Sequence, residues 1–480
     1  MNPDDNQIQQ GQEIYASPPA PSAEEELTGY DYPPEPPPPS SPMENILGGL
    51  KRFLIPFILL LVAIVIIIFF VRLLKGGGTV TEREAKLTYW ILWEDESVFE
   101  PLVKAYEEKH PKTKITLVKQ TPKEYRERLE NAIVKGEGPD LFRFHNTWLP
   151  MLLQKNVVAP VPEKVITAKD FDSTFYPVAA TDLKNGNAIY GMPLTFDALG
   201  LYYNKSILKA AGASPPTTWA ALQTLANDLT VRDTNGRIRT AGVALGTTNN
   251  VEFWPDILGL MILQNSASIT NPKGANAEDA LLFYTRFAQK PDNVWDKSFE
   301  NSIVEFAGEK VAMMLAPSWV ALELKARNPK LDFAVAPVPQ LPGVNVAWAT
   351  YWVEGVSSKS KYQDEAFAFL AFLVAKDNLT NLFSQEAKAH PPFGEPYSRS
   401  DLASSLKGDP YLDSIVSEGP YAKSGYLSSR TFDNGLNDRI IKYYEDAVNS
   451  VNQGANPNEA LSTATKGINQ VLTDFGMPTQ

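Results

Sequence analysis

A run of 19 residues without a charged side chain, from Phe53 to Val71, places the strongest constraint on how this chain can fold. At a rise of about 1.5 Å per residue, such a helix matches the thickness of the hydrocarbon core of a bilayer. A helix that is apolar on every face is not typical of a soluble domain. The run starts after residue 50 and no small-residue cleavage site follows it. We therefore interpret residues 51–75 as an uncleaved transmembrane signal anchor.

The residues before the anchor have the composition of a disordered segment. Residues 1–50 hold 11 of the 38 prolines and nine acidic residues, but no Lys or Arg. Such a segment cannot bury enough apolar surface to offset its chain entropy. Removing its nine acidic residues from the total of 56 leaves 47, against 44 basic residues, so the remaining chain is nearly neutral. We predict a disordered, proline-rich acidic tail over 1–50 and, after the anchor, a flexible linker over 76–86.

The composition excludes several classes of function. The chain has no cysteine, so it has no disulfide, thiol nucleophile or Cys-ligated zinc site. Its three histidines argue against a His-rich metal site, and we expect neither a metal nor a cofactor. The net charge of −12 argues against nucleic-acid binding. A chain of 480 residues exceeds what one hydrophobic core organises, so at least two lobes are expected.

After the linker, short apolar runs alternate with amphipathic stretches, a pattern typical of an α/β fold with parallel strands. Two sequences resemble N-terminal capping boxes and predict where helices begin, Thr121-Pro-Lys-Glu124 and Asn456-Pro-Asn-Glu459. The predicted strands are residues 87–92, 115–118, 141–144, 199–204 and 311–315. The predicted helices include residues 278–289, 362–376, 439–451 and 460–474.

The order of these segments resembles the extracellular solute-binding proteins of family 1, the maltose and multiple-sugar type that serve ABC importers. Six segments carry the resemblance, and their shared order makes it specific although each is weak alone. The segments are LTYWILWEDESVFEPLVKAYEEKHPKTKITLV, GEGPDLFRF, IYGMPLTFDALGLYYNKSILKAAGASPPTTWAALQTLANDL, FAGEKVAMMLAPSW, VAPVPQLPG and VSSKSKYQDEAFAFLAFLVA.

The resemblance implies the two-lobed α/β fold of type II periplasmic binding proteins, with discontinuous lobes joined by crossing strands. We expect lobe 1 to comprise residues 87–196 with 338–395, and lobe 2 to comprise residues 197–337 with 396–480. A cleft between two such lobes is the usual location of a ligand.

The resemblance also indicates which side chains hold the ligand. A sugar offers hydroxyl groups for hydrogen bonds and apolar ring faces for stacking, so its site needs aromatic residues beside carboxylates and amides. Some candidates have alternatives: the segment Trp93-Glu94-Asp95 as a solvated acidic turn before a helix, Asp197 as a hinge residue bonded to backbone amides, and Trp254 as a helix-start residue packed in the core. His145 is expected to be a polar surface residue. The predicted ligand-binding residues are Trp93, Glu94, Asp95, Asn146, Trp148, Asp197, Trp254, Trp319, Tyr351 and Trp352.

These expectations predict a non-enzymatic, membrane-anchored protein that captures a sugar or polyol outside the cell and delivers it to ABC permease subunits. The charges flanking the anchor do not favour a cytoplasmic tail. We place the tail in the cytoplasm because the binding domain, expected to be monomeric, must face outside. One alternative is a solute-sensing receptor that signals through the tail. Another is a glycosidase in which Glu94, Asp95 and Asp197 converge.

Overall fold

Two α/β lobes, each built on a five-stranded sheet, make up the part of the chain that the computed structural model describes, residues 83–479 except Asp292 and Pro392. The predicted tail, the signal anchor and the linker up to residue 82 lie outside the described residues. The strands are β1 Ala85–Ile91, β2 Thr113–Lys119, β3 Leu141–His145, β4 Lys184–Asn185, β5 Ala188–Ile189, β6 Met192–Pro193, β7 Leu199–Asn204, β8 Val231–Arg232, β9 Ile238–Val243, β10 Val311–Pro317, β11 Phe333–Ala336, β12 Ala347–Trp348, β13 Trp352–Val356 and β14 Ala422–Lys423.

The helices fill the connections between these strands. The α-helices are α1 Glu96–Lys109, α2 Tyr125–Lys135, α3 Leu149–Gln154, α4 Ala168–Thr174, α5 Pro177–Leu183, α6 Lys205–Ala210, α7 Trp219–Leu229, α8 Trp254–Gln264, α9 Ala275–Arg286, α10 Ser302–Ala307, α11 Val320–Arg327, α12 Gln363–Leu373, α13 Lys376–Ala389, α14 Asp413–Glu418, α15 Leu436–Asn452 and α16 Pro457–Asp474. Short 3₁₀ segments are Asn146–Trp148, Ser400–Leu406 and Gly419–Tyr421.

The first sheet has the strand order β2-β1-β3-β13-β6. The predicted parallel arrangement of its first three strands is confirmed, because β1 runs parallel to both β2 and β3. The fourth strand comes from much later in the chain and runs antiparallel to β3, so that Glu354 lies opposite Arg143. The end of β3 and the start of β13 therefore meet at the same edge of the sheet.

The second sheet has the strand order β11-β7-β10-β9-β8. Its strands come from residues 199–336, whereas those of the first sheet come from 85–193 and 352–356. Strand β7 runs antiparallel to both of its neighbours, β10 and β11. The lobe boundaries at 196, 337 and 395 remain predictions.

The two capping sequences have different outcomes. Asn456 accepts hydrogen bonds from the backbone N–H groups of Asn458 and Glu459, so the predicted start of α16 is confirmed. The prediction at Thr121 is wrong: α2 begins at Tyr125, and Glu124 has a left-handed backbone with φ 56° and no capping hydrogen bond. In this conformation the Glu124 backbone cannot belong to the first turn that a capping box requires.

Within residues 83–479, no single helix is both long enough and apolar enough to cross a membrane. The consecutive helices α12 and α13 have this length and apolarity only when taken together, and they are bent by 71° relative to each other.

A buried guanidinium joins three parts of the first lobe. The side chain of Arg143 in β3 is 1% exposed, and its Nε donates to Glu354 Oε1 at 2.7 Å. Its Nη1 donates to Glu94, which follows β1 and is also buried. The Tyr125 hydroxyl of α2 donates to the Arg143 carbonyl at 2.8 Å. This ion triad fixes the loop after β1 against the antiparallel strand β13.

Replacement of Arg143 by Met should destabilise the protein, because it leaves the buried carboxylates of Glu94 and Glu354 without their cation. We expect the free energy of unfolding to fall by about 3–5 kcal/mol at pH 7, as measured by urea denaturation. The loss should be smaller at pH 5, because burial raises the pKa of Glu354 and this carboxyl group, without its cation, then takes up a proton in the folded state.

Lys114→Met provides the control, because Lys114 forms an exposed ion pair with Glu107 at 2.9 Å. Such a pair contributes at most about 1 kcal/mol. Equal losses in the two variants would contradict the role given to the triad.

Candidate functional site

A cleft of about 440 Å³ lies where strand ends of the two lobes face each other. Its lining includes residues that follow β1 and β10, the ends of β3 and β10, and the start of β13. Because β13 is antiparallel to its neighbour β3, its first residue lies at the same edge as the carboxyl end of that strand. The carboxyl edge of an open α/β sheet is the usual place for a ligand.

Six of the ten predicted site residues lie together in this cleft. They come from four separate segments of the chain, and they combine three tryptophans and a tyrosine with two carboxylates. The six residues are Trp93, Glu94, Asp197, Trp319, Tyr351 and Trp352. Their contact with a ligand remains a prediction, but the fold brings them to one surface.

Three aromatic rings form a group on the side of the first lobe. The ring centroids of Trp93 and Trp352 are 5.5 Å apart, and those of Trp93 and Phe432 are 6.1 Å apart. Trp93 is 38% exposed and Phe432 is 42% exposed. Large apolar rings that remain this exposed leave ring faces free to stack against a solute.

A second aromatic group lies on the side of the second lobe. The rings of Phe253 and Trp319 make an edge-to-face contact, with centroids 5.7 Å apart. The guanidinium of Arg430 lies over both rings, 5.2 Å from the Trp319 centroid. Arg430 also forms an ion pair with Glu252, which holds it in this position.

Asp197 lies in the cleft lining and bonds to backbone amides, as its alternative reading stated, while its contact with a ligand remains a prediction. Its carboxylate accepts the N–H groups of Ala198 at 2.7 Å and Ser318 at 3.0 Å. These bonds connect the chain entering β7 to the chain leaving β10. Burial raises the pKa of Asp197 to about 7, although these donors act in the opposite direction.

Two of the predicted residues lie behind the cleft rather than in its lining. Asn146 donates to Asp182 at 2.8 Å and accepts the N–H of Tyr351, so its amide orients the segment that carries the tyrosine. Trp148 is buried, and its ring centroid is 5.4 Å from that of Trp352. Asn146 therefore supports Tyr351, and Trp148 supports Trp352, without lining the cleft themselves.

The structure also places Asp95 and Trp254 outside the cleft lining. Asp95 is exposed and forms an ion pair with Lys119 at 2.5 Å, so it does not converge with Glu94 and Asp197 as the glycosidase alternative required. Trp254 is packed in the core at the start of α8, as its alternative reading stated. The preceding residue, Phe253, faces the cleft instead.

His145 is buried rather than on the surface, which corrects the expectation for this residue. Its two ring nitrogens lie 2.8 Å from the Thr147 hydroxyl and 3.0 Å from the Thr350 hydroxyl. Burial lowers its pKa to about 3, so the ring stays neutral at physiological pH. It lines the cleft beside Trp352.

The C-terminal segment contributes cleft residues through an unusual backbone. Arg430, Phe432 and Asn434 all have positive φ, between 46° and 56°. Such conformations cost free energy in residues other than glycine and need strong local support. Asp433 supplies this support, because its buried carboxylate accepts hydrogen bonds from the backbone N–H groups of Gly435, Asn437 and Asp438. The alternation of these residues points Arg430 and Phe432 toward the cleft.

Acidic groups that the sequence did not single out also line the cleft. Asp256 accepts the indole N–H of Trp348 at 3.0 Å, and burial raises its pKa to about 7. Glu386 and Glu395, from the end of α13 and the loop after it, lie near Glu94. Because they lie about 300 residues beyond Glu94 in the chain, no local sequence pattern connects them.

Asp197→Asn should make the free energy of unfolding less dependent on pH. The folded protein keeps the Asp197 proton up to about pH 7, whereas the unfolded chain loses it near pH 4. The folded state therefore binds more protons in this interval, and the parent loses stability as the pH rises. Urea unfolding from pH 4 to 8 should show that the free energy of unfolding of the variant rises relative to that of the parent by up to about 1.4 kcal/mol per pH unit.

Asp95→Asn is the matched control. Lys119 lowers the pKa of this exposed carboxyl, so its contribution is complete above about pH 5. The difference from the parent should then be constant from pH 5 to 8. A constant difference for Asp197→Asn as well would contradict the raised pKa.

Comparison with known proteins gives consistent matches. The family model of bacterial extracellular solute-binding proteins matches residues 101–393. The chain is 23% identical over 372 residues to the sn-glycerol-3-phosphate-binding periplasmic protein of Salmonella typhimurium, covering 72% of this chain and 82% of that protein. It is 24% identical over 212 residues to the multiple sugar-binding protein of Streptococcus mutans, covering 40% of this chain and 49% of that protein.

A solved structure shares the fold. The sugar-binding protein MalE from Xanthomonas citri superimposes with a TM-score of 0.68 and 18% identity, covering 81% of this chain and 98% of that chain. The resemblance to maltose and multiple-sugar binding proteins is therefore confirmed. The expectation of a protein that is not an enzyme is also confirmed, because the relatives are solute-binding proteins. The chain belongs to the family of bacterial extracellular solute-binding proteins.

Proposed function

We propose that the protein binds a carbohydrate or a related polyhydroxylated solute in the cleft between its lobes. The observation that carries this proposal is that two aromatic groups and several carboxylates line the same cleft. Ring faces stack on the apolar faces of a sugar, and carboxylates accept hydrogen bonds from its hydroxyl groups. Relatives named for sugars and for a glycerol phosphate support the same class of solute.

Capture takes place by closure of the lobes around the solute. Trp93 and Trp352 extend from the first sheet, whereas Trp319 follows β10 of the second. A solute that contacts both groups favours the closed state, because the open state offers it one set of contacts alone. No bond in the solute needs to break, so the same residues serve binding and release.

The bound solute is then delivered to the permease subunits of an ABC importer. We place the binding domain outside the cytoplasmic membrane, as the family assignment favours. The signal anchor over 51–75, which precedes the described residues, is proposed to retain the domain at the membrane, with the acidic tail in the cytoplasm. Isolation of the full-length chain with its permease from solubilised membranes would test this arrangement.

Trp319→Ala should weaken solute binding without unfolding the protein. Trp319 is half-buried and packs on Phe253 at the cleft wall, so its removal takes away a stacking surface and leaves the sheets intact. After a panel of sugars and polyols has identified a ligand of the full-length protein, calorimetry should give a Kd raised at least about tenfold. Thermal unfolding of the variant without ligand should remain cooperative.

Trp90→Ala is the control, since Trp90 packs on Tyr125 away from the cleft. It should leave the affinity unchanged. A Trp319 variant with the affinity of the parent would place the solute elsewhere, and a panel in which no sugar or polyol binds would count against the proposed class.

A further inference from the structure

Three glutamates from distant parts of the chain meet at one wall of the cleft. Glu94 follows β1, Glu386 lies in the last turn of α13, and Glu395 lies in the loop after that helix. One carboxylate oxygen from each lies within 4.8 Å of the other two. All three side chains line the cleft, so a bound solute has access to this glutamate cluster.

The loop that carries Glu395 is held close to α13. A Cβ atom at Gly394 would lie 2.8 Å from both the ring and the carbonyl of Phe383, so glycine permits this approach. The backbone N–H of Glu395 then donates to Glu386 Oε2 at 2.7 Å. The two glutamates are therefore fixed next to each other by the backbone, despite their like charges.

The cluster contains more acidic groups than the nearby cation can pair with. Arg143 is the cation that acts on it, and this guanidinium also pairs with Glu354. Four acidic side chains thus lie around one guanidinium in the part of the chain that the structure describes. Among the described residues, Tyr89 acts on Glu94 and Asp197 acts on Glu395, and His390 at the end of α13 belongs to the same cleft lining.

Two oxygens of the cluster are buried without a donor among the residues that the structure describes. Glu94 is 6% exposed and its Oε2 has no hydrogen-bond partner; Glu386 is 4% exposed and its Oε1 has none. A buried acceptor without a donor is costly and rare in folded proteins. Both oxygens belong to residues that line the cleft, so a solute can supply the missing donors.

The neighbouring side chains indicate what kind of donor fits. Trp93 directly precedes Glu94 and is 38% exposed, and Phe393 lies two residues before Glu395 in the same lining. Aromatic faces attract organic ammonium groups, which have several N–H donors. A divalent metal ion favours a shell of water and oxygen atoms instead. Carboxylates beside rings therefore favour an amine over a metal.

We propose that the glutamate cluster recognises a protonated amino group, so that the cleft takes an amino sugar or a related polyhydroxylated amine in preference to a neutral sugar. This inference rests on the proposed function and narrows its solute class. The ammonium group donates to the free oxygens of Glu94 and Glu386 and to Glu395, while the aromatic groups contact the rest of the solute.

Proton release provides a readout specific to this site. Burial raises the pKa of Glu395 to about 7 and that of Glu386 above its ordinary value, so the empty cluster holds protons below neutral pH. An ammonium group favours the ionised carboxylates and must displace those protons. Amine affinity should therefore rise from pH 5 to 7, while the affinity for a neutral sugar should not.

The test compares matched solutes on the full-length protein by calorimetry. The probes are glucosamine and its short oligomers, with N-acetylglucosamine and glucose oligomers of equal length as neutral controls. At pH 7 the amino series should bind at least tenfold more tightly than either neutral series. Measurements in two buffers of different ionisation enthalpy should show protons released with the amino series alone.

Glu386→Gln and Glu395→Gln should each reduce the amine affinity about tenfold or more and reduce the neutral-sugar affinity by a much smaller factor, because glutamine still accepts hydrogen bonds from hydroxyl groups but does not pair with an ammonium charge. Glu108→Gln, on the exposed face of α1, is the control and should change neither. Thermal unfolding should show that the variants fold, since glutamine keeps an acceptor at both positions.

The outcomes separate this inference from the proposed function. Neutral sugars that bind as tightly as the amino series would overturn the amine site and leave the carbohydrate function standing. Binding of CaCl₂ that is lost in Glu386→Gln, without amine binding, would make the cluster a metal site and overturn the inference. Failure of both sugar series would overturn both proposals.

Discussion

Arg143 is buried between two carboxylates, and the geometry of the cleft follows from how that charge is satisfied. A buried cation needs ionised partners in fixed positions, which forces Glu94 and Glu354 toward it from the loop after β1 and from β13. Glu354 can reach Arg143 because β13, which begins at residue 352, lies antiparallel to β3 in the same sheet. The same strand brings Trp352 to the edge of the sheet that faces the cleft, so the ion triad and the aromatic group of the first lobe depend on one strand.

The triad also explains why Glu94 differs from an ordinary loop carboxylate. One of its oxygens is used by Arg143, and the other is left buried and free beside Glu386 and Glu395. Its neighbour Asp95 is exposed and paired with Lys119 on the outside. Glu94 and Asp95 are adjacent, yet Glu94 is buried against the Arg143 guanidinium whereas Asp95 is exposed.

Sequence patterns predicted features that depend on local physics or on segment order. The parallel strands β1 to β3, the cap at Asn456 and the cleft position of Trp319 are of this kind. Contacts between distant segments were not accessible in this way: Glu386 and Glu395 approach Glu94 through the packing of α13 on the first lobe. At Trp254 the prediction missed by one residue, because the start of α8 turns Phe253 to the cleft and the tryptophan to the core.

The chain after the tail is nearly neutral, with 47 acidic and 44 basic residues, yet its cleft is strongly acidic. Net charge averages over the whole surface, whereas a solute in a narrow cleft meets the charges that face it at low dielectric. Asp197, Asp256 and Glu395 all have pKa values raised by burial to about 7. The cleft therefore holds protons near neutral pH, and the ammonium group that we propose for the glutamate cluster would displace some of them, whereas a neutral solute would not.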